Sequence, residues 1–301
     1  MHFDLADLRL FIHISEAPSI TQAARKSFIS TAAASNRIKK LEEQVGIRLL
    51  YRDSQGVELT SAGAVLLKHA RIILRQVQYL HNELSEFSDQ QVGHIRIFAN
   101  TTAVTDFLPE TLAVLMVQHP QLTIDLQERV NLEVLRGVAE GASDIGITAG
   151  PIKAQGLEVI HFSTDRLVLT TSSEHPLAHL QSVDLEQTLD YPHICLQEGS
   201  SLLRFLKSQV DNLQRDINVR IQVFGFESMC RMIEAGVGIG IMPESSALRH
   251  KQTMSLQIIQ LDEPWAVRER SIIVRDSQAL PEYVKTLIKL LVKQPPTQLA
   301  R

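Results

Sequence analysis

Residues 19–52 constrain the fold most, because they predict two short helices joined by a tight turn and followed by a short winged segment. Ser19 can cap the free amides of the first helix, and Ser30 can cap those of the second. Gly46 ends the second helix, at a position where a left-handed residue is common. Small side chains in the first helix let the two helices cross closely. The residues expected to pack at this crossing are Ile20, Ala23, Ala24 and Phe28.

The second helix has an apolar face and a polar face. Its apolar stripe, spaced by four, three and four residues, is expected to face a core and consists of Ala34, Ile38, Leu41 and Val45. The opposite face is small at its start and then hydrogen-bonding or cationic, as a helix in the major groove requires. The predicted base-reading residues are Thr31, Ala32, Ser35 and Asn36. The predicted phosphate-binding residues are Arg25, Lys39, Lys40 and Arg52.

The charge distribution indicates a nucleic-acid partner. Seven Lys or Arg and two Glu lie between Ile20 and Arg52, whereas the whole chain has a formal net charge of −4. Positive charge is therefore concentrated where DNA would bind. An ordinary solvated helical hairpin that carries some lysines is the alternative, and the charges alone do not exclude it.

A long helix is predicted from a cap at Thr60 to about Phe87, because neither Pro nor Gly follows Gly63 in this stretch. Its apolar residues alternate at spacings of four and three over three heptads: Leu66, Ala70, Ile73, Val77, Leu80, Leu84 and Phe87. Such a seam predicts a homodimer held by Leu66, Ile73, Val77, Leu80 and Leu84. A core helix of one domain would also be apolar on one side, so that alternative stays open.

From His94 onward, strand patterns alternate with helix patterns, after a polar hinge at residues 88–93. The strand-like runs are 95–99, 122–127, 144–148, 157–162, 166–171, 193–196, 220–224 and 238–242. This alternation predicts parallel sheets covered by helices. Periodicity alone does not decide between one large lobe and two smaller ones.

Residues throughout the first 63 positions match a known pattern: Leu8, Phe11, Ser19, Ile20, Thr21, Ala23, Ala24, Ser30, Ala33, Ser35, Ile38, Leu41, Glu42, Gly46, Leu49, Arg52 and 59–63. With them the chain resembles the LysR-type transcriptional regulators. The resemblance adds Ser19, Thr21 and Ser30 to the predicted DNA-binding residues. The sequence departs from the family's usual residues at Pro18, Thr31, Ala32 and Tyr51, so the operator sequence cannot be transferred.

The resemblance implies an α/β protein with an N-terminal, all-α winged helix-turn-helix and an effector domain of two α/β lobes like those of periplasmic solute-binding proteins. The implied domains are a DNA-binding domain at 1–60, a linker and dimerisation helix at 61–91 and an effector domain at 92–301. Lobe I would span about 92–164 and 268–301, and lobe II about 165–267. The implied protein is a regulator rather than an enzyme, and it has no cofactor. Its implied partners are double-stranded promoter DNA, a small-molecule effector and further copies of itself in a dimer or tetramer, with RNA polymerase as a further candidate.

An effector site is expected where strands of the sheet end, because helix N-termini at that edge favour anions. The candidate residues are Asn100, Thr101, Thr102, Thr148, Gln197, Ser200, Ser201 and Phe226. Arg129 could supply a positive charge for a carboxylate or phosphate, so the predicted effector is a small anion. Alternatively, the hydroxyl residues are plain helix caps and Arg129 is an exposed surface residue.

The sequence lacks the common signatures of enzymes, metal sites and membrane segments. It contains no nucleophile elbow, no zinc-protease helix and no phosphate loop. His175 and His179 are four residues apart, but Pro176 breaks the helix that would direct both at a metal. No apolar run approaches the ~20 residues of a membrane helix, and no signal peptide is evident, so we expect a cytoplasmic protein.

Two alternatives to a ligand-responsive regulator remain. Cys195 borders the predicted cleft, so Cys195 and Cys230 could form a redox switch, although the apolar neighbours of Cys195 favour an inert buried thiol. The other alternative is a solute-binding protein or an enzyme whose helix-turn-helix is a structural appendage.

Overall fold

The structure, a computed structural model, describes residues 3–17, 19–53, 56–86 and 93–293. The chain divides into two compact units. The first, which we call the head unit, spans Met1–Gly93 with Gly137–Ser143. The second, the C-terminal unit, spans His94–Arg136 with Asp144–Arg301. Residues 88–92 of the predicted hinge at 88–93, and the predicted seam residue Phe87, lie outside the described residues.

In its described residues the head unit contains a helical core and a two-stranded wing. Its elements are α1 (Leu5–Ser15), α2 (Ile20–Lys26), α3 (Thr31–Val45), β1 (Leu50–Asp53), β2 (Gly56–Leu59) and α4 (Ser61–Glu86). Ser19 and Ser30 cap α2 and α3, and Gly46 ends α3 with a φ of 71°. The Gly63 amide donates to Thr60 Oγ1 at 3.0 Å, which caps α4. These four predicted caps are confirmed, because capping depends on residues close in sequence.

The end of α2 differs from the prediction, because Phe28 does not pack at the helix crossing. The Ile29 amide donates to the Ala24 carbonyl at 3.1 Å, and the Phe28 amide donates to the Arg25 carbonyl at 3.1 Å. This is the pattern of a Schellman motif, which requires a left-handed residue at Phe28, whose φ is 56°. The Phe28 side chain is turned outward and is 96% exposed, while Ile29 packs against the core instead. The left-handed conformation costs a non-glycine residue about 1 kcal/mol.

The C-terminal unit has two lobes, each with its own hydrophobic core. Its elements in chain order are β3 (His94–Ala99), a π-helical turn (Ala103–Phe107), α5 (Leu108–Gln118), β4 (Thr123–Glu128), α6 (Asn131–Ala139), β5 (Ile145–Ala149), β6 (Glu158–Ser172), β7 (Ser182–Val183), α7 (Leu185–Thr188), β8 (His193–Leu196), α8 (Ser201–Asp211), β9 (Val219–Val223), α9 (Phe226–Glu234), β10 (Gly240–Pro243), α10 (Glu244–Lys251), β11 (Leu256–Leu261), a 3-10 turn (Pro264–Ala266), β12 (Val267–Val274) and α11 (Glu282–Val292).

The main sheet has the strand order β4-β3-β5-β12-β6-β11-β7, with β10 also paired to β6. β3, β4 and β5 are parallel, as predicted, but β12 is antiparallel to β5 and β6, and β10 and β11 are antiparallel to β6. The predicted parallel pairing therefore holds for β3, β4 and β5, whereas the main sheet as a whole is mixed. A separate parallel pair of strands, β8 and β9, contributes to lobe II.

β6 is one strand of 15 residues, where the sequence predicted two shorter strands. Its polar residues Ser163, Thr164 and Asp165 look like a turn in the sequence. In the structure they continue the strand, because β12 pairs with them along its length. The first part of β6 pairs with β12, and its last part pairs with β10 and β11, so the strand belongs to both lobes.

A β-bulge interrupts the pairing of β6 with β12. Arg270 lies opposite Ser163, but Ser271 lies opposite His161, which leaves Phe162 as the additional residue. The Phe162 ring contacts the Phe107 ring edge-on, with 6.5 Å between the centroids. Both rings belong to the hydrophobic core of lobe I, so the bulge lies in lobe I, a few residues before β6 pairs with β10 of lobe II at Leu167.

His193 is a buried histidine in β8, with only 2% of its surface exposed. Its Nδ1 hydrogen-bonds to the Tyr191 carbonyl at 3.0 Å, while its buried Nε2 has no partner among the described residues. Burial lowers the pKa of His193 to about 4. Because protonation would place an unsolvated charge inside lobe II, the folded protein holds this ring neutral.

This burial predicts a loss of stability in mild acid. In the unfolded chain His193 has an ordinary histidine pKa near 6.5. Between about pH 6.5 and pH 4, therefore, the unfolded chain binds a proton at His193 and the folded protein does not. Stability from this group is therefore complete above pH 6.5 and falls by about 2 kcal/mol by pH 5. Urea unfolding at pH 8 and pH 5 measures it, and H193F should lose that share of the pH dependence. An identical pH dependence in both proteins would contradict the assignment.

Candidate DNA interface and ligand cleft

The exposed face of α3 presents most of the predicted base-reading and phosphate-binding residues. Ala34, Ile38 and Leu41 are buried in the head unit, which fixes the rotation of the helix. Thr31, Ala32, Asn36, Lys39 and Lys40 are exposed, and Ser35 is half-buried. The predicted division of α3 into a buried face and an exposed face is confirmed by this burial pattern.

Two ionic contacts modify the positive charge of this surface. Arg37, counted among the basic residues of the sequence, donates from Nε to Asp7 at 2.7 Å and from Nη2 to Asp4 at 3.0 Å. The hydrogen bond to Asp7 raises the pKa of Arg37, and this pair ties α3 to α1 rather than offering a free cation. Lys39 lies 3.8 Å from Glu43 one turn later, in a pair exposed to solvent.

The remaining predicted DNA-binding residues lie around the start of α2 and α3 or on the wing. Ser19 Oγ accepts from the Gln22 amide at 3.3 Å, and Ser30 Oγ accepts from the Ala33 amide at 3.1 Å. Both hydroxyls therefore serve as caps. Thr21 and Arg25 are exposed on α2. The backbone of Arg52 lies in β1, but its side chain is outside the described residues.

The predicted seam on α4 is exposed in its later half. Leu66 packs against the core of the head unit and Ala70 is fully buried. Ile73 is 40% exposed, Leu80 56% and Leu84 60%, and Val77 is half-buried. Exposure of an apolar stripe of this kind to water is unfavourable unless a second protein surface covers it.

A narrow cavity that opens to solvent lies between the two lobes of the C-terminal unit, and the space between its walls is about 470 Å³ with the open solvent included. Its lining residues are Asn100, Thr101, Thr102, Ala149, Asp165, Arg166, Leu167, Leu196, Ser201, Leu202, Phe226, Pro243, Arg268 and Arg270. A wider open groove of about 1210 Å³ shares Thr101, Leu196 and Ser201 with it. The structure thus brings the ends of β3, β5 and β8 to one cleft, together with the crossing strands β6 and β12.

The structure places the predicted effector residues in different positions. Asn100, Thr101, Thr102, Ser201 and Phe226 line the cavity, whereas Arg129, Gln197 and Ser200 line the open groove. Thr148 lies on neither surface. Its side chain is buried within the sheet, because successive strand residues point to opposite faces and the neighbouring Ala149 takes the cavity side.

Local contacts show which of these residues cap helices and which lie at the rim of the groove. Asn100 Oδ1 accepts from the Ala103 amide at 3.0 Å, while Thr102 makes no such bond, so Asn100 is the cap at this helix start. Ser200 does cap α8, by accepting from the Leu203 amide at 3.2 Å. Arg129 donates to Gln127 Oε1 and to the Glu128 carbonyl, both at 2.8 Å, and belongs to the rim of the groove.

Arg268 is a buried cation that lines the cavity, and the sequence analysis did not single it out. The side chain is 8% exposed, and Nη2 donates to the Ala149 carbonyl at 2.6 Å. Among the described residues it has no carboxylate partner, and its buried Nε has no hydrogen-bond acceptor. Its guanidinium lies over the Phe205 ring, 4.4 Å from the centroid. Burial lowers the pKa of Arg268 to about 10, which still leaves it charged at neutral pH.

Gly150 makes room for this guanidinium. A Cβ at Gly150 would lie 2.4 Å from Arg268 Nη2, and the φ of 83° also favours glycine. A signal for the site was present in the sequence, since Arg268 and Arg270 are two residues apart in one strand and therefore share a face. The signal could not show that only one of them has a carboxylate partner.

Arg270 differs from Arg268 because it is fully engaged by acidic and hydroxyl groups. Its Nη2 bonds to Asp165 and donates to Ser245 Oγ at 3.1 Å, and its guanidinium covers the Phe107 ring. Ser245 Oγ, which has one proton to donate, lies 2.9 Å from Asp165 Oδ2 and 3.2 Å from Asp106 Oδ2, within hydrogen-bond reach of both. This network connects the π-helical turn of lobe I to α10 of lobe II, and it matches the charge of Asp165 internally.

The described residues hold no reactive thiol and no metal-binding cluster. Cys195 and Cys230 are buried and unpaired, and burial raises the pKa of Cys195 to about 11 and that of Cys230 to about 12. Both thiols are therefore protonated near neutral pH, which does not favour the redox alternative. No group of three or more metal-ligating side chains occurs in the described ranges. Nor is any described helix long and apolar enough to cross a membrane.

Comparison with known proteins gives matches over nearly the whole chain. Residues 5–64 match the family model "Bacterial regulatory helix-turn-helix protein, lysR family", and residues 88–295 match "LysR substrate binding domain". A probable RuBisCO transcriptional regulator from Emiliania huxleyi is 25% identical over 297 residues, covering 97% of this chain and 95% of the relative.

Two solved structures share the fold. A full-length OxyR variant from Pseudomonas aeruginosa has a TM-score of 0.76 at 21% identity, with both chains covered completely. Full-length CbnR in complex with its target DNA has a TM-score of 0.62 at 19% identity, covering 96% of this chain and 99% of CbnR. At these identities the likeness is one of fold.

Proposed function

The chain belongs to the LysR family of transcriptional regulators, whose members are not enzymes, and from this premise we propose that a small anion bound by Arg268 controls its binding to promoter DNA. The DNA would be bound by α3 of two subunits, and the anion would occupy the cavity between the lobes. The observation that supports this proposal best is the buried guanidinium without a carboxylate partner.

The physical argument for an anion is the free-energy cost of burying the Arg268 charge when no ligand is bound. A charge removed from water without a partner destabilises the folded protein by several kcal/mol. A ligand carboxylate or phosphate facing Arg268 would supply the missing partner through charge-assisted hydrogen bonds. Thr102 and Ser201 could donate hydroxyl bonds to the same anion, and Phe226 and Leu202 offer apolar surface to the rest of the ligand. We therefore propose the same kind of effector as the sequence predicted, a small anion, with Arg268 rather than Arg129 as its cationic partner.

The proposed domain boundaries are those of the sequence prediction: 1–60 for DNA binding, 61–91 for the linker helix and 92–301 for the effector domain. Within the last, lobe I would comprise about 92–164 and 268–301, and lobe II about 165–267. The exposed stripe of α4 supports a homodimer. A tetramer, contact with RNA polymerase and a cytoplasmic location next to the chromosome complete the proposal.

The experiment that tests the proposal is binding of the full chain to a pool of genomic DNA fragments, titrated with salt and sequenced, with and without a panel of small carboxylates and inorganic phosphate. Selective, salt-sensitive retention of promoter fragments, altered by one of the anions, would support it. Uniform or absent retention would contradict the DNA-binding part, and the solute-binding alternative would then be preferred.

Substitutions of the predicted base-reading and phosphate-binding residues of α3 are expected to change DNA binding in different ways. N36A is expected to change the preferred half-site sequence, with a loss of about 1–3 kcal/mol on the original site, because the amide of Asn36 is placed to read a base edge. K39A is expected to weaken binding to all sequences similarly and to flatten the salt dependence by up to about one unit of slope. Quantitative binding to the retained fragment and to random DNA measures both. K153A, which removes an exposed lysine of the C-terminal unit, is the control.

An equal loss for N36A on specific and random DNA would contradict base reading by Asn36. An unchanged salt slope in K39A would contradict the phosphate contact, and the pair with Glu43 would then account for the position of Lys39.

A further inference from the structure

Phe28 is an apolar side chain displayed at the edge of the proposed DNA surface. It is 96% exposed, and its backbone is held in the left-handed region by the Schellman motif that ends α2. Glycine and asparagine suit that conformation better than a bulky aromatic residue does. The core of the head unit does not require Phe28. The sequence pattern placed Phe28 at the helix crossing, but in the structure Ile29 packs against the core instead.

The surroundings of Phe28 indicate what would cover it. Two residues later, Ser30 caps α3, and Thr31 and Ala32 follow on the exposed face of that helix. On the other side, Arg25 and Lys26 are exposed at the end of α2. A protein core or membrane would not be expected beside the exposed hydroxyl of Thr31 and the exposed cations Arg25 and Lys26, whereas DNA offers phosphates for the cations and apolar atoms between them.

We propose that Phe28 contacts DNA directly, packing on the apolar surface of a nucleotide at the edge of the half-site that α3 reads. That surface is either a thymine C5 methyl group or the carbon face of a deoxyribose. Thymine methyls are a known apolar feature of the major groove and are contacted by aromatic side chains. The inference rests on the proposed DNA-binding function and adds a residue outside the predicted set.

The test compares F28G and F28L with the wild-type full chain, on a promoter fragment that the wild-type protein retains. Glycine suits the left-handed backbone, so F28G should unfold at an equal or higher urea concentration, while its affinity for the fragment should fall about tenfold. The salt dependence should not change, because no charge is removed. F28L, which keeps apolar surface, should lose less affinity. V117A, which trims an apolar side chain that is 81% exposed on α5, is the control and should bind like wild type.

Replacing thymine by uracil in the fragment distinguishes the two nucleotide surfaces. If Phe28 contacts a methyl group, one such replacement weakens the wild-type protein several-fold and leaves F28G unaffected. If it contacts deoxyribose, no single replacement distinguishes the two proteins, yet F28G still binds more weakly than wild type.

Unchanged affinity of F28G for the fragment would overturn the inference, and a loss of transcription at unchanged affinity would assign Phe28 to a protein partner instead. Loss of affinity together with loss of folding stability would also overturn it, since Phe28 would then be structural. These outcomes differ from failure of the proposed function, in which the wild-type protein itself retains no fragment selectively.

Discussion

R268M is expected to lower the affinity for the anionic effector by about a hundredfold or more and, at the same time, to make the ligand-free protein more stable. Removing one partner of a buried, hydrogen-bonded charge pair costs about 2–5 kcal/mol of binding. Without ligand the same guanidinium has no carboxylate partner, so an apolar side chain of similar length should stabilise the C-terminal unit. Urea unfolding without ligand, and again with each anion of the panel, measures both effects in one assay.

R204M is the matched control for this prediction, because Arg204 is an exposed arginine on α8 of the same C-terminal unit. It should change neither quantity by more than about 0.5 kcal/mol. G150A should weaken ligand binding without removing the guanidinium, because its Cβ would displace Arg268 Nη2. An R268M protein that is less stable without ligand and still responds to the anion would show that Arg268 is structural.

The double substitution L80E and L84E is expected to convert the dimer to a monomer and to reduce affinity for a paired half-site by about a hundredfold or more. Two carboxylates would be placed in the apolar stripe that the second subunit should cover. Two linked heads bind a paired site with a high effective concentration, which separate heads lose. Analytical ultracentrifugation gives the assembly state, and binding to paired and single half-sites gives the affinity.

Affinity for a single half-site should be unchanged in this variant, since α3 is untouched. Q78E adds a carboxylate to another exposed position of α4, away from the stripe, and should remain dimeric. If the double variant stays dimeric, the dimer interface lies elsewhere and the exposed leucines need another explanation.

Features that depend on residues close in sequence were predicted accurately, whereas features that depend on contacts between distant residues were not. The ends of α3 depend on Ser30 and Gly46, which act within one turn of the helix, and both were predicted correctly. Phe28 was placed in the core because it is hydrophobic, whereas its orientation follows from a turn in which Ile29 takes the inward position.

The ligand cleft was predicted only in outline for the same reason. Asn100, Thr101 and Ser201 could be found because strand ends in an α/β sheet meet at one edge. Arg268 could not, since its place depends on β12 pairing with strands more than 100 residues earlier. Thr148 shows how a shift of one residue along a strand exchanges the cavity side for the buried side.

The passage of β6 through both lobes, with β12 paired to its first part, limits how ligand binding can change the C-terminal unit. These strands are hydrogen-bonded to each other where the lobes meet, and the bulge at Phe162 interrupts that pairing. A two-stranded ribbon twists and bends far more easily than it stretches, and a bulge increases its local twist. Ligand binding in the cleft should therefore rotate one lobe about the ribbon, with little change in the distance between the lobes.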